Sequence, residues 1–469
     1  MRPINIRAAK DYAVVSGQMH PSQVEGLDFI HAWLSSDKPY AILAGYAGTG
    51  KSYLTGGVVR LLQQVCWGHL GVTSPTHPAR IALHNHLLLL GVNLRSEMIT
   101  VATIHSWLGL KEEFDDDEKS RFVPQGINKS KYKDGCDVLI IDEASMIDSI
   151  IGGYVDEAWK SFRGKVLFVG DPAQIPPVGE QDSFPFLRFM EGDEQFYGAH
   201  FLREVVRQAK GSKIITLATD MRDSIENGEK LYKYPNLLDY VDNDQIKVLR
   251  CIRQEGCRSL YLSPESLENP RYVKALAYRN STVEQLNTIV KSLRKEIPIN
   301  ELERYYVGDT YILTEPLMDG EMIILPNNAE VTVEGIEESM EGEGEYRYEV
   351  HKLMVSSELL EVGSTVVLKP RPQDQRYHDL AKLLLGYAKT LRKGSLERSA
   401  AWKEYYGFTR QYVPLKMSFA ITAHRSQGST YTYTILDETD LFSNRNRYEG
   451  NRVAYTALTR AAQGVIVLR

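Results

Sequence analysis

The chain holds only four cysteines in 469 residues, Cys66, Cys136, Cys251 and Cys257. They are too few and too scattered for a disulfide framework. Cys251 and Cys257 have no second pair with which to complete a zinc site. No apolar run approaches the ~20 residues a bilayer-spanning helix needs, and the opening MRPINIRAAKDYAVV lacks the sustained apolar core of a secretory signal. A cytoplasmic protein with no membrane partner is the expectation. Dense Lys/Arg runs are missing too, and the formal net charge is −6. That balance argues against a generally adhesive nucleic-acid binder but leaves room for a local basic groove, because the field depends on where the charges sit. No internal repeat and no low-complexity segment is visible, which excludes solenoid arrays.

What remains is ordinary globular material, 43% hydrophobic and 25% charged, long enough for roughly three compact domains. In the first two hundred residues, short apolar runs alternate with helical patterns. PYAILAG (Pro39–Gly45), HLGVTSPT (His69–Thr76), CDVLIIDEAS (Cys136–Ser145) and GKVLFVGDPAQ (Gly164–Gln174) each read as a buried strand ending in polar residues. Buried strands separated by helices predict a parallel α/β sheet. Ligands bind such sheets beyond the carboxyl ends of the strands, so the four polar motifs should meet at one edge. The pattern breaks at 108–135, acidic at first and then basic, which fits an inserted hairpin or a disordered acidic loop; composition does not decide between them. A second α/β pattern starts beyond Gly198, with YVKALAYRN (Tyr272–Asn280) as a strand. It is interrupted at 292–414, first by alternating segments that predict a small β-barrel and then, over 371–412, by helical ones. It resumes at KMSFAITAHRSQGST and ends with GVIVLR.

The chemistry begins at GYAGTGKS. Gly45-x-x-x-x-Gly50-Lys51-Ser52 follows a strand and opens a helix. Glycines let backbone N–H groups of Ala47, Gly48, Thr49 and Gly50 curl around phosphate oxygens, and the helix N-terminus adds its own donors and dipole. Lys51 is placed to reach the β- and γ-phosphates and Ser52 to hold Mg²⁺. Asp142-Glu143 ends the strand VLIIDE. The first carboxylate suits the Mg²⁺ shell; the second suits a general base aimed at the attacking water. An acidic pair alone often just ends a strand. Paired with the phosphate loop, it predicts hydrolysis of a nucleoside triphosphate, with Mg²⁺ as cofactor.

GYAGTGKS, SPTHPAR, ATIHSWL, LIIDEASM, VGDPAQIPPV, LREVVRQ, TAHRSQGST and YTALTRA follow one another in the order of the superfamily 1 helicase motifs. The chain resembles that family over nearly its whole length, within the 5′→3′ group typified by bacteriophage Dda. The resemblance implies an α/β fold of two RecA-like P-loop domains, with an inserted β-hairpin (pin) subdomain and an inserted SH3-like β-barrel plus helical extension. Its divisions would be 1–107 with 136–198 for the first RecA-like domain, 108–135 for the pin, 199–291 with 415–469 for the second, and 292–414 for the SH3-like and helical subdomain. It makes Gln23 the adenine reader, although an ordinary helix-start glutamine fits as well, and Gln174 the γ-phosphate sensor. Arg207 and Arg460 become the arginines the second domain donates, since a guanidinium offers planar donors and a fixed charge to a transferring phosphoryl group. Gln427 and Gly428 become nucleotide-side residues. The alternative for Arg460 is a surface arginine capping a helix.

Single-stranded DNA is the track the resemblance implies, with Pro75, Thr76, His77, Thr103, His105, Thr422 and His424 as its contacts; hydroxyls and imidazoles suit sequence-blind backbone contacts. Phe114 and Phe122 are the aromatics available to a pin. The implied activity is an ATP-dependent, 5′→3′ DNA helicase acting on forked duplexes, monomeric, working beside single-strand-binding or replication proteins in the cytoplasm (of the host, for a phage-encoded chain). Two other readings stand beside it. One is a single-strand translocase that displaces bound proteins and unwinds weakly. The other is a nucleotide-gated binding module, which would need none of Glu143, Arg207 and Arg460.

Overall fold

The structure, a computed structural model, describes residues 4–66, 68–114, 120–206, 211–240, 245–249, 253–319, 322–361, 363–392 and 395–469. It divides into two compact units. One comprises Met1–Ile252, Lys274–Val283 and Ile421–Arg469, the other Arg253–Val273 and Glu284–Ala420.

In the first unit the chain lays down β1 (Tyr40–Gly45), β2 (Leu70–Ser74), β3 (Ile99–Thr103), β4 (Leu110–Phe114), β5 (Ser120–Pro124), β6 (Val138–Ile141), β7 (Lys165–Gly170) and β8 (Phe196–Leu202). Six of these form a parallel sheet in the order β3-β2-β6-β7-β1-β8. β1, β2, β6 and β7 are buried at every residue, because helices cover both faces. Alternation along β1 divides its side chains between two cores. Ala41 and Leu43 join Leu27, Ile30, Leu54 and Val58 of the helices Pro21–Ser35 and Lys51–Val65. Tyr40, Ile42 and Ala44 join Ile151, Val155 and Ala158 of the helix Ser149–Phe162.

β4 and β5 leave the sheet as a two-stranded antiparallel hairpin, with Leu110 opposite Pro124 and Phe114 opposite Ser120. The segment 108–135 thus carries paired strands in its described part. β8 straddles residue 198 and pairs with β1, so the first sheet runs to Leu202, four residues past the expected end. Its buried-at-the-ends, exposed-in-the-middle pattern does not read as a core strand in sequence.

β9 (Ile246–Leu249) and β10 (Val273–Ala277) begin a second sheet. Before it is complete the chain builds β11 (Thr310–Leu313), β12 (Leu317–Asp319), β13 (Met322–Leu325), β14 (Glu330–Glu341), β15 (Tyr348–Ser356), β16 (Val366–Leu368) and β17 (Leu415–Met417). It then returns with β18 (Ala420–Thr422), β19 (Tyr431–Asp437) and β20 (Ala461–Leu468). The second sheet has the order β18-β10-β19-β20-β9, and its β19–β20 and β20–β9 pairs are parallel. Two sheets built on parallel pairs with crossover helices match the RecA-like pair that the resemblance implies.

The second unit is organised by a five-stranded antiparallel sheet, β16-β15-β14-β11-β17. Val331, Val333, Leu353 and Val355 fill its core with Tyr305, Tyr311 and Leu313. β17 pairs with β11, so residues 415–417 belong to this sheet and not to the α/β part where the sequence places them. The helices Gln375–Thr390 and Leu396–Thr409 follow, as the pattern over 371–412 predicts. Beneath the sheet Lys291 Nζ meets Asp309 Oδ2 at 2.9 Å, both side chains almost fully buried. Among the described residues Cys66, Cys136 and Cys257 are buried, and no helix is long and apolar enough to cross a membrane; Cys251 lies outside them.

Candidate nucleotide-binding site

The loop 45–52 joins β1 to the helix Lys51–Val65. Gly48 and Gly50 have φ of 77° and 78°, the left-handed region where a Cβ is costly. Gly50 is also pressed from one side, since a Cβ there would lie 2.2 Å from Gln23 Nε2. Gln23 holds two positions at once. Its Oε1 accepts the His20 N–H at 2.9 Å, closing a capping box at the start of its helix. Its Nε2 donates to the Gly50 carbonyl at 3.2 Å. The helix-start glutamine and the glutamine beside the phosphate loop are therefore the same residue in the same rotamer. Within the loop, Lys51 Nζ donates to the Gly45 carbonyl at 2.5 Å and the Tyr46 carbonyl at 3.2 Å, and Thr49 Oγ1 donates to the Tyr46 carbonyl at 2.8 Å. Ser52 is exposed at the first turn of the helix.

Asp142 and Glu143 follow β6. The Glu143 N–H donates to Asp142 Oδ1 at 2.9 Å, and Glu143 itself sits at φ 53°, a strained position for a residue with a Cβ. Burial raises the Asp142 carboxyl above the usual range, Glu143 beside it adds to the rise, and Lys51 pulls the other way. Two adjacent, part-buried carboxylates beside Lys51 present hard oxygen donors of the kind a divalent cation takes. The donor set fits Mg²⁺.

The loop after β7 brings the third element. Asp171 is buried, its Oδ1 accepting the Ala173 N–H at 2.9 Å. Gln174 is buried as well, and its Oε1 has no hydrogen-bond partner among the described residues. A buried amide oxygen without a donor is costly unless a ligand meets it.

The elements of the second sheet converge on the same place. Gln427 Nε2 donates to the Ile175 carbonyl at 2.9 Å. Gly428 has φ 72°, and a Cβ there would stand 2.7 Å from Ala79 Cβ and 3.5 Å from Thr76 Oγ1. On the helix Arg447–Leu458, Thr456 Oγ1 accepts the Ile175 N–H at 3.2 Å. Tyr455 donates its hydroxyl to Asp171 Oδ2 at 2.9 Å and accepts the Ala47 N–H at 3.1 Å. Arg460 is 7% exposed, so it is no surface residue. Its guanidinium does close a helix end, donating to the carbonyls of Thr456 (3.1 Å) and Ser429 (3.4 Å) and to Thr459 Oγ1 (3.2 Å). Arg207 lies outside the described residues; its neighbour Val206 donates its N–H to the Gly48 carbonyl at 3.1 Å.

Tyr455, Thr456, Asp171 and Tyr46, whose hydroxyl bonds Glu226, escaped the reading of the sequence. All but Glu226 sit inside motifs already quoted. The available signal was their position three to five residues from Arg460, Gln174 and Lys51.

The proposed DNA-contact residues gather on the carboxyl ends of β2, β3 and β18. Pro75 and Thr76 follow β2. Thr76 and Thr103 are helix N-caps, accepting from the Ala79 and Ser106 N–H groups at 3.3 and 3.2 Å. Thr422 does the same for Arg425 at 3.3 Å. All three hydroxyl oxygens thus have local structural duties, and their O–H groups have no acceptor among the described residues. Burial, then Arg80 and His105, lowers His77 to about 4. The His105 ring lies 4.6 Å from that of Phe122 on β5, whose carbonyl accepts the Tyr154 hydroxyl at 3.0 Å. His424 Nε2 is 3.4 Å from Glu449 Oε1. Phe122 is half-exposed; the Phe114 side chain lies outside the described residues.

Two family models match the chain, an AAA domain over residues 19–243 and a UvrD-like helicase C-terminal domain over 417–468, together more than half of it. An uncharacterized protein of Acanthamoeba polyphaga mimivirus is 22% identical, covering 90% of this chain and 93% of its own. The ATP-dependent DNA helicase dda of Enterobacteria phage T4 is 23% identical, covering 87% of this chain and 89% of its own. Among solved structures, a Pif1 helicase from Bacteroides in complex with ADP-AlF3 and ssDNA superposes with a TM-score of 0.52 at 16% identity, over 96% of this chain and 92% of the other. That likeness shows the fold the two share.

Proposed function

We propose that this chain, which belongs to the superfamily 1 helicases related to Dda and Pif1 and is an ATP-dependent DNA helicase, moves along single-stranded DNA from 5′ to 3′ and parts a fork with its β4–β5 hairpin. The observation that carries the reading is the set of bonds from Gln427, Tyr455 and Thr456 to the Asp171–Ile175 loop and the phosphate loop. A nucleotide in loop 45–52 lies where elements of both sheets meet, so its binding and loss can open and close the pair.

ATP sits with its phosphates in the N–H cradle of 47–52. Lys51 leaves the Gly45 and Tyr46 carbonyls for the β- and γ-phosphates. Ser52 and Asp142 would hold Mg²⁺, which would supply positive charge to offset that of the transferring phosphoryl group. Glu143 orients the attacking water and takes its proton. Gln174, with its unpartnered amide oxygen, reads the γ-phosphate. Arg460 and Arg207 supply transition-state charge, Arg460 by exchanging carbonyl partners for phosphoryl oxygens. Gln23 reads the base from the side of Gly50, and Gln427 and Gly428 close the second half over the site.

The DNA strand crosses Pro75, Thr76, His77, Thr103 and His105 on the first sheet's edge and Thr422 and His424 on the second's. Helix N-termini capped by Thr76 and Thr103 suit phosphate contacts. Phe122, braced by His105 and by Tyr154, transmits the position of the strand to the hairpin, and Phe114 lies nearer its tip. The antiparallel sheet and helical pair of the second unit correspond to the SH3-like and helical insertion, and the enzyme works as a monomer.

ATP hydrolysis with and without single-stranded DNA, for the parent and for Arg460→Ala, tests this. Strong stimulation in the parent, lost in the variant while nucleotide still binds, is expected. Hydrolysis indifferent to DNA would leave a nucleotide-gated binding module. Forks with only a 5′ or only a 3′ tail test direction, and stimulation without unwinding of either would leave a translocase.

A further inference from the structure

The Tyr455 hydroxyl joins two loops of the first sheet. Its O–H donates to Asp171 Oδ2 at 2.9 Å, and its oxygen accepts the Ala47 N–H at 3.1 Å. Neither partner is loosely held. Asp171 is fully buried, with its other oxygen on the Ala173 N–H, and Tyr455 is 1% exposed. Burial, and then the charge of Asp171, pushes the phenol far above its ordinary range, so the hydroxyl keeps its proton and remains a donor at every working pH. The residue next along the helix, Thr456, takes the Ile175 N–H, and Gln427 takes the Ile175 carbonyl. The Asp171–Ile175 loop is therefore tied at both ends to elements of the second sheet. The phosphate loop is tied to them through Ala47.

An N–H of a phosphate loop is a phosphate donor. The Tyr455 oxygen occupies one such donor, and it does so from an element of the other sheet.

We propose that Tyr455 is a positioning residue that competes with nucleotide phosphate for the Ala47 N–H and passes the outcome to the Asp171–Ile175 loop. This rests on the reading of loop 45–52 as the ATP site. The hydroxyl bridges Ala47 and Asp171. When a phosphate oxygen takes the Ala47 N–H, the tyrosine loses one of its two anchors, and the helix that carries Tyr455, Thr456 and the approach to Arg460 keeps its bonds to Asp171 and Ile175 and the Arg452–Asp182 ion pair, none of them on the phosphate loop. The same helix can then move with the Gln174 loop instead of with the phosphate loop. Phosphate occupancy becomes a change in which loop the second sheet's helix follows. Tyr455 touches no reacting atom in this account.

Tyr455→Phe keeps the ring and removes the hydroxyl. Without a competitor for the Ala47 N–H, binding of a fluorescent ADP analogue is expected to tighten by about fivefold, the worth of one neutral hydrogen bond. The stimulation of ATP turnover by single-stranded DNA is expected to fall, with kcat and KM for ATP both lowered. A residue of purely structural importance would weaken nucleotide binding, so the direction discriminates. Asp171→Asn removes the charge that orients the hydroxyl and keeps the shape; it should move affinity the same way, and it decides the matter if Tyr455→Phe does not fold. Unchanged or weaker ADP binding in the folded variants overturns the proposal. A parent whose ATP turnover ignores DNA would overturn the helicase reading instead, and the affinity comparison would still stand on its own.

Discussion

Gln427 Nε2 donates to the carbonyl of Ile175 across 2.9 Å and 252 positions of sequence. The carbonyl belongs to the loop that follows β7 of the first sheet, and the glutamine to the turn that follows β18 of the second. With the Thr456 contact to the Ile175 N–H, both polar groups of one peptide residue are taken by side chains from the other sheet's elements. Such pairing fixes the register between the halves, because either bond alone would allow slippage.

Gln427→Ala leaves the Ile175 carbonyl without its buried partner, a loss of about 1 kcal/mol. Since the bond links the two halves and not the core of either, the melting temperature should change little. DNA-stimulated ATP turnover should fall by about fivefold. A steady-state ATPase assay beside a thermal melt checks both, and an equal loss of basal and stimulated turnover would count against the linking role.

His77 gives a pH dependence of definite sign. Its folded pKa, about 4, lies below the ordinary value of 6.5 because burial, Arg80 and His105 disfavour the imidazolium. Between those values the unfolded chain binds a proton that the folded chain refuses. Stability is therefore fully present above about 6.5 and declines as pH falls towards 4. His77→Gln should shrink the drop in melting temperature between pH 7.5 and pH 5. The same shift means that His77 meets DNA as a neutral hydrogen-bonding group, so acidification to pH 6 should not tighten single-strand binding through it.

Phe122 packs at a tilt against His105 while its carbonyl holds Tyr154. Replacing it by alanine removes the ring contact and spares the backbone bond. Base pairs opened per ATP should fall, while single-strand-stimulated ATP turnover stays near the parent's. The double variant with Phe114→Ala should fall further. Unwinding per ATP unchanged in the double variant would remove the hairpin from the mechanism.

The second unit has its own weak point. Asp309 faces Lys291 in a buried pair and also accepts the Tyr306 N–H at 3.1 Å and the Tyr311 hydroxyl at 3.2 Å. Asp309→Ala would leave an ammonium buried without its counter-charge, at a cost of about 3–5 kcal/mol. Limited proteolysis should cut first within 284–420, with the phosphate loop still able to bind nucleotide.

The sequence by itself determined the local chemistry. A loop that needs glycine at φ 77° and 78° must be written with glycine, a strand covered on both faces must be apolar throughout, and a carboxylate pair at its end must follow it directly; each of these constraints acts within a few residues and so shows in the order of letters. The helices over 375–409 were legible for the same reason, whereas composition at 108–135 left a hairpin and an acidic loop equally open. Tertiary structure decided the rest. That β8 joins the first sheet and β17 the antiparallel one, that Gln23 reaches Gly50 as well as capping its helix, and that Tyr455 bridges Ala47 and Asp171 are pairings between distant segments. Whether two such segments meet depends on loop closure and on the packing of everything between them. No residue type or spacing records that outcome. A tyrosine in a helix is spelled the same way whether its hydroxyl faces water or holds two loops together.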